Sequence, residues 1–192
     1  MAVIAGVDAW IVCQNLDRLT FFVGVFVGAL ALVYLVVNHS LGRIWRYLPL
    51  KEITIGFLFA VGTLIALLPA VPPATFAFLV CAVCFGSLCA LNCIAIASWE
   101  RELDEAQGNI SIAVRFPALC DWVRKFAFSL ALASFAAAAT FRSAALLFGC
   151  VGLSALLLAW LHGWQGTLGN DARTALADLV LLTPLAFLAL NA

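Results

Sequence analysis

Asn92-Cys-Ile-Ala-Ile-Ala-Ser-Trp99-Glu100-Arg-Glu-Leu-Asp104-Glu-Ala-Gln-Gly108 is where a long apolar run ends abruptly in a cluster of acids. The residues on either side of it read as membrane, so the stretch marks a point where the chain leaves hydrocarbon for water. Glu100 and Asp104 lie four apart. If the helix of the preceding run continues through them, their carboxylates share a face about one turn apart. Two carboxylates so placed can share a divalent metal. Read alone, the E-x-x-x-D spacing fits equally a hydrated juxtamembrane loop whose charges simply stay in water.

Composition supports the membrane setting. The 192 residues are 66% hydrophobic and 10% charged, with a mean hydropathy of +1.13, whereas soluble domains are about half apolar. Formal net charge is zero and no run of Lys or Arg occurs, which removes the electrostatic footprint of nucleic-acid binding. The cysteines are odd in number, and Cys81, Cys84, Cys89, Cys93 and Cys150 fall inside apolar runs, where a thiol acts as a small hydrophobe. Cys81-x-x-Cys84 has no second pair or neighbouring His to complete a metal site.

The expected fold is all-α, a polytopic transmembrane bundle of about six spans forming one domain over residues 1–192. Residues 1–19 carry Asp8, Asp17 and Arg18 and lack the features of a signal peptide, so they are expected to form an interfacial or partial helix. Spans are expected near 21–38, 53–69, 74–98, 126–140, 144–161 and 175–190, each close to the length that crosses a core of about 30 Å. Val71-Pro-Pro73 is the expected tight turn between the second and third spans. Gly24-x-x-x-Gly28 in the first span would let a neighbouring helix approach closely.

Counting basic residues orients the bundle. Arg43, Arg46, Lys51, Arg101, Arg115, Arg124, Lys125 and Arg173 fall on one side, Arg18 and Arg142 on the other. Cytoplasmic loops carry the excess of Lys and Arg, so the polar loops are expected in the cytoplasm and both termini outside, in what is expected to be a bacterial cytoplasmic membrane.

On that side Tyr47-Leu-Pro-Leu-Lys51 brings a phenol and an ammonium to the membrane surface, both able to hold phosphate oxygens. An interfacial Tyr and a snorkelling Lys are the ordinary use of these residues. Here one helical hairpin returns the chain from Lys51 to Glu100 and Asp104. Carboxylates for Mg²⁺ and a lysine at the mouth of an apolar bundle suit a lipid pyrophosphate, whose tail would lie between helices. Asn92, two turns before Glu100, is expected either to orient a ligand carboxylate or to bond across helices. Asp178 is an acid one turn inside the sixth span, and intramembrane acids are by default functional or paired; Arg173, five residues earlier, is its candidate structural partner. His39 and His162 lack metal-spaced partners and read as interfacial.

Tyr47-x-x-x-Lys51, then Ile53-Thr-Ile-Gly-Phe-Leu-Phe-Ala-Val-Gly-Thr63, then Asn92 through Trp99-Glu-Arg-Glu-Leu-Asp104-x-x-x-Gly108 resemble the later part of the UbiA-type intramembrane prenyltransferases, which have nine helices, a Y-x-x-x-K motif and a second aspartate motif, D-x-x-x-D. The resemblance covers the chain from about Phe21 and implies that the six spans correspond to the family's fourth through ninth. It further implies Mg²⁺ at Glu100 and Asp104, substrate contacts at Tyr47, Lys51, Asn92 and Asp178 with Tyr47 and Lys51 acting on the pyrophosphate, and transfer of a polyprenyl group to a lipid or aromatic acceptor. Two departures are plain. Glu100 stands where the family has Asp, and nothing in Met1 to Arg18 matches the first motif, N-D-x-x-D-x-x-x-D. The expectation is therefore either a fragment or split partner of a full prenyltransferase, whose missing helices a second chain would supply, or a degenerate relative, a non-catalytic membrane subunit keeping the helical fold. A small transporter is a weaker reading, because ionisable residues within the spans are few.

Overall fold

The computed structural model describes residues 17–40, 51–65, 76–164 and 168–183, and these are helical with no strand among them. The helices are α1 (Arg18–Ser40), α2 (Lys51–Ile65), α3 (Phe76–Trp99), α4 (Arg101–Gln107), α5 (Ile112–Arg115), α6 (Pro117–Cys120), α7 (Val123–Thr140), α8 (Ala145–Gly163) and α9 (Asn170–Val180), with one 3₁₀ turn, Arg142–Ala144, before α8. Tyr47 and the Val71-Pro-Pro73 turn lie outside the described residues.

Four segments among these residues are long and apolar enough to cross a membrane: Arg18–Ser40, Phe76–Trp99, Val123–Thr140 and Arg142–Gly163. Their outer faces carry large apolar side chains, such as Phe22 at 67% exposure and Leu132 at 74%. In water such a surface would be an aggregation hazard, whereas lipid is its natural solvent. Of the second expected span, 53–69, residues through Ile65 are described as α2.

The largest difference from expectation lies at the sixth span. α9 starts at Asn170, five residues before the expected 175, and is amphipathic, its charged and polar residues running from Asn170 through Asp178. A turn follows at Leu181 and Leu182. The expected span 175–190 thus joins the second half of a polar helix to an apolar tail, of which 184–192 lie outside the described residues. The first helix also begins earlier than the expected 21, because Asp17 caps it: its Oδ2 accepts the Thr20 N–H at 3.1 Å. Arg18 and Leu19 therefore belong to the start of α1, while the rest of the expected interfacial or partial helix, residues 1–16, lies outside the described residues.

Helices α2 and α3, and α7 and α8, pack as antiparallel pairs. Gly56 of α2 faces Ala90 of α3 while Phe57 faces Gly86, and Phe135 and Arg124 of α7 face Gly152 and Gly163 of α8. α9 runs antiparallel to α3, its Asn170 bonded at Trp99 and its Asp178 at Asn92. Hence the starts of α2, α7 and α9 and the ends of α3 and α8 share one end of the bundle, with α4, α5 and α6 beside them. Arg142 lies at the other end, where Phe141 contacts Phe76. The buried core between helices is built from residues such as Leu88, Val151, Ala155 and Leu158.

Close approach occurs at one place that the sequence motif did not indicate. A Cβ on Gly56 would stand 2.5 Å from the backbone Cα of Ala90, so α2 and α3 touch main chain to main chain. At Gly24 and Gly28 nothing lies within 4 Å, so the Gly-x-x-x-Gly pair of α1 is not the close helix contact expected of it among the described residues.

Candidate functional site

The acidic junction is a hinge in the helical path. α3 stops at Trp99, Glu100 has φ −94° and ψ 8°, and α4 resumes at Arg101. The Asp104 N–H still bonds to the Glu100 carbonyl at 2.9 Å, which keeps the one-turn spacing, and Gly108 at φ 67° ends the short helix. The two carboxylates nevertheless turn to different neighbours. Glu100 Oε1 accepts from the Thr174 hydroxyl on α9 at 3.2 Å, whereas Asp104 Oδ1 accepts from the Asn109 amide at 3.4 Å. Lys51 opens α2 at the same end, half-buried. No hydrogen bond or ion pair among the described residues joins it to Glu100 or Asp104, and no group of three or more His, Cys, Asp or Glu is placed there to hold a metal.

α9 assembles the rest. Asn170 Nδ2 donates to the Trp99 carbonyl at 2.8 Å, capping an orphan carbonyl at the end of α3. Asn92 is buried and its Nδ2 donates to Asp178 Oδ1 at 3.5 Å. Of the two expectations for Asn92, the described contact is the bond across helices. Arg173 does not pair with Asp178: five residues along a helix separate two side chains by about 140° around its axis, so Arg173 turns inward, bonding the Asn170 side chain, while Asp178 stays exposed. His162 is buried against Trp99, the ring centroids 5.9 Å apart.

One acid in the group was not singled out from sequence. Glu52, next to Lys51, is 6% exposed. Its Oε1 accepts the buried Ile112 N–H at 3.0 Å, and its Oε2 is buried without a partner. Cys93 lies within electrostatic reach of both Glu52 and Asp178, and Tyr34 within reach of Glu52. The signal in the sequence is the Lys-Glu pair at the start of an apolar helix, in which Glu52 lies one position round from Lys51, on the inner face.

Beside this polar end runs an apolar groove of about 450 Å³ between α1 and α2, lined by Val27, Leu30, Ile53, Thr54, Phe57 and Leu58 among others. A smaller hollow of about 120 Å³ shares Val61 with it and reaches Leu64 and Phe78. Groove and polar end together can receive a molecule with a charged head and an apolar tail. The described residues thus form an all-helical bundle with four helices of membrane-spanning character and a polar cluster at one end. No protein-family model matches the chain, and no curated protein or solved structure matches it.

Proposed function

We propose that this chain is a UbiA-like membrane protein that binds a polyprenyl pyrophosphate at the polar end of its bundle and serves transfer of the prenyl group to a lipid or aromatic acceptor. The observation that carries the reading is the position of Lys51: the apolar groove begins at Ile53 and Thr54, within one turn of it. A pyrophosphate held at Lys51 and Tyr47 would leave its isoprenoid tail in that groove, against Val27, Leu30 and Phe57. Glu100 and Asp104 suit one Mg²⁺ completed by phosphate and water oxygens, since that ion commonly uses one or two protein carboxylates; when bound it would neutralise the departing pyrophosphate. Lys51 adds positive charge to the same oxygens, and the apolar groove excludes water from the developing allylic cation. With one carboxylate pair, binding is expected to exceed turnover, because losing a single well-placed electrostatic donor already costs roughly 10²–10³ in rate. The polar loops, on this reading, face the cytoplasm.

The test is binding and transfer of labelled geranyl or farnesyl pyrophosphate by the purified chain with Mg²⁺, alongside Asp104→Ala. Mg²⁺-dependent binding that Asp104→Ala abolishes is the expected result. Robust transfer by the chain alone would refute the expectation that one carboxylate pair supports binding better than turnover.

A second reading, a non-catalytic membrane subunit with a UbiA-like helical fold, is favoured by the separate partners of Glu100 and Asp104. Absence of any Mg²⁺-dependent binding in the same assay selects it.

A further inference from the structure

Arg173 is nine-tenths buried yet meets no carboxylate within ion-pair distance among the described residues, where Arg101 with Glu105 on the exposed face of α4 is the recorded pair. Its guanidinium lies over the Trp99 ring, 5.4 Å from the centroid. One NH₂ is used by the Asn170 side chain, and its Nε–H is buried with no acceptor. The indole Nε1–H of Trp99, 6% exposed, is also buried with no acceptor. Two orphan donors, one of them charged, therefore occur in side chains that are in contact. A buried unpaired charge is among the most expensive features a fold can carry, and a buried unsatisfied donor in a native protein calls for an ion or another partner.

The surroundings carry both signs. Arg173 stands in the first turn of α9, where the helix dipole favours an anion. Arg124 of α7 lies over the end of α8, 3.5 Å from where a Cβ on Gly163 would be, and both Arg124 and Arg173 act electrostatically on His162. Of the acids nearby, Asp171 is exposed in the same first turn of α9, Asp121 acts on His162 from the turn before α7, and Glu100 turns to Thr174; none forms an ion pair with Arg173 among the described residues.

We infer that Arg173 and Trp99 form an anion site for a phosphate group, with Arg173 Nε and Trp99 Nε1 as its donors and Arg124 at its rim. The site adjoins Glu100, which follows Trp99 and bonds to Thr174, but it uses none of Lys51, Glu100 and Asp104 and does not rest on the transferase reading. At the end of a membrane bundle the phosphate comes from one of two sources, the headgroup of an anionic phospholipid or a soluble phosphate.

The experiment is thermal unfolding of the purified full chain in neutral detergent, titrated in one arm with phosphatidylglycerol against phosphatidylcholine and in another with inorganic phosphate against chloride at equal ionic strength. Phosphatidylglycerol is expected to raise the unfolding temperature saturably. Arg173→Gln and Trp99→Phe, which keeps the ring and removes the donor, are each expected to weaken the apparent affinity about tenfold or more, since a hydrogen bond to a charged group is worth that order. Arg142→Gln, at the opposite end, is expected to change nothing. Saturable stabilisation by inorganic phosphate with the same variant pattern would assign the soluble source. Should Arg173→Gln fail to fold, Trp99→Phe decides the matter. No saturable effect of either phosphate source, or an effect unchanged in Trp99→Phe, overturns the site.

Discussion

Glu52 and Ile112, sixty positions apart, are joined by a buried hydrogen bond in which the carboxylate Oε1 accepts the backbone N–H at 3.0 Å. The bond ties the segment after α4 to the start of α2. Removing the acceptor leaves a buried N–H unmet, so Glu52→Ala is expected to destabilise by about 1–3 kcal/mol. Glu52→Gln keeps an acceptor oxygen and removes the charge, and should cost less. Denaturant unfolding of both variants in detergent checks the order; equal losses would show that charge and not the acceptor matters.

The main-chain contact of α2 with α3 makes a second expectation. Gly56→Ala must force backbone apart, which costs about 1–3 kcal/mol, while Gly62→Ala, with nothing within 4 Å, should be neutral or slightly stabilising through helix propensity. Comparing their unfolding midpoints decides it.

Asn92 and Asp178 form a polar contact across α3 and α9. A double-mutant cycle using Asn92→Leu and Asp178→Leu is expected to give a coupling of about 0.5–1.5 kcal/mol, the range of interhelical bonds in membrane proteins. A coupling indistinguishable from zero would place the two side chains apart in the membrane.

The antiparallel order predicts sidedness. Single cysteines introduced at Glu102 and Arg142, both at exposed positions on opposite ends, should be labelled by an impermeant reagent from opposite sides of sealed vesicles. Labelling from one side would break the antiparallel arrangement.

At the start of α1, the Thr20 hydroxyl and backbone N–H hold the Asp17 carboxyl below its ordinary value of 3.8. A carboxyl whose folded value is depressed contributes stability above the unfolded value and loses it as pH falls through the folded one. The protection of the Thr20 amide, its exchange rate relative to the intrinsic rate at the same pH, should therefore fall below about pH 4, and Asp17→Asn, which still caps but does not titrate, should flatten that dependence.

The helical membrane character was legible in the apolar runs, and the sharing of one end by the loops around Lys51, Glu100 and Arg173 was legible in the charge asymmetry. What the sequence concealed was direction around each helix. Glu52 and Lys51 are neighbours in the chain, yet only Glu52 faces the core; Gly24 and Gly28 match a packing motif, yet Gly56 makes the close contact. α9 begins before the expected residue 175 because Asn170, Arg173 and Thr174, which engage Trp99 and Glu100, lie before the hydropathy rises, while Leu176, Leu179 and Leu182 continue toward the apolar tail. Such choices depend on what each neighbouring helix offers, and hydropathy does not contain that.

The bond from Asn170 to the Trp99 carbonyl spans 71 positions, and Asn92 waits still longer, for Asp178. A ribosome making this chain releases α3 well before α9 exists. During that interval Asn92, inside the span, carries an amide whose eventual partner has not been synthesised, and hydrocarbon offers no substitute for it. The growing chain is therefore most vulnerable to insertion error and proteolysis between the emergence of α3 and the docking of α9, and truncations ending before residue 170 should be the ones that quality control removes.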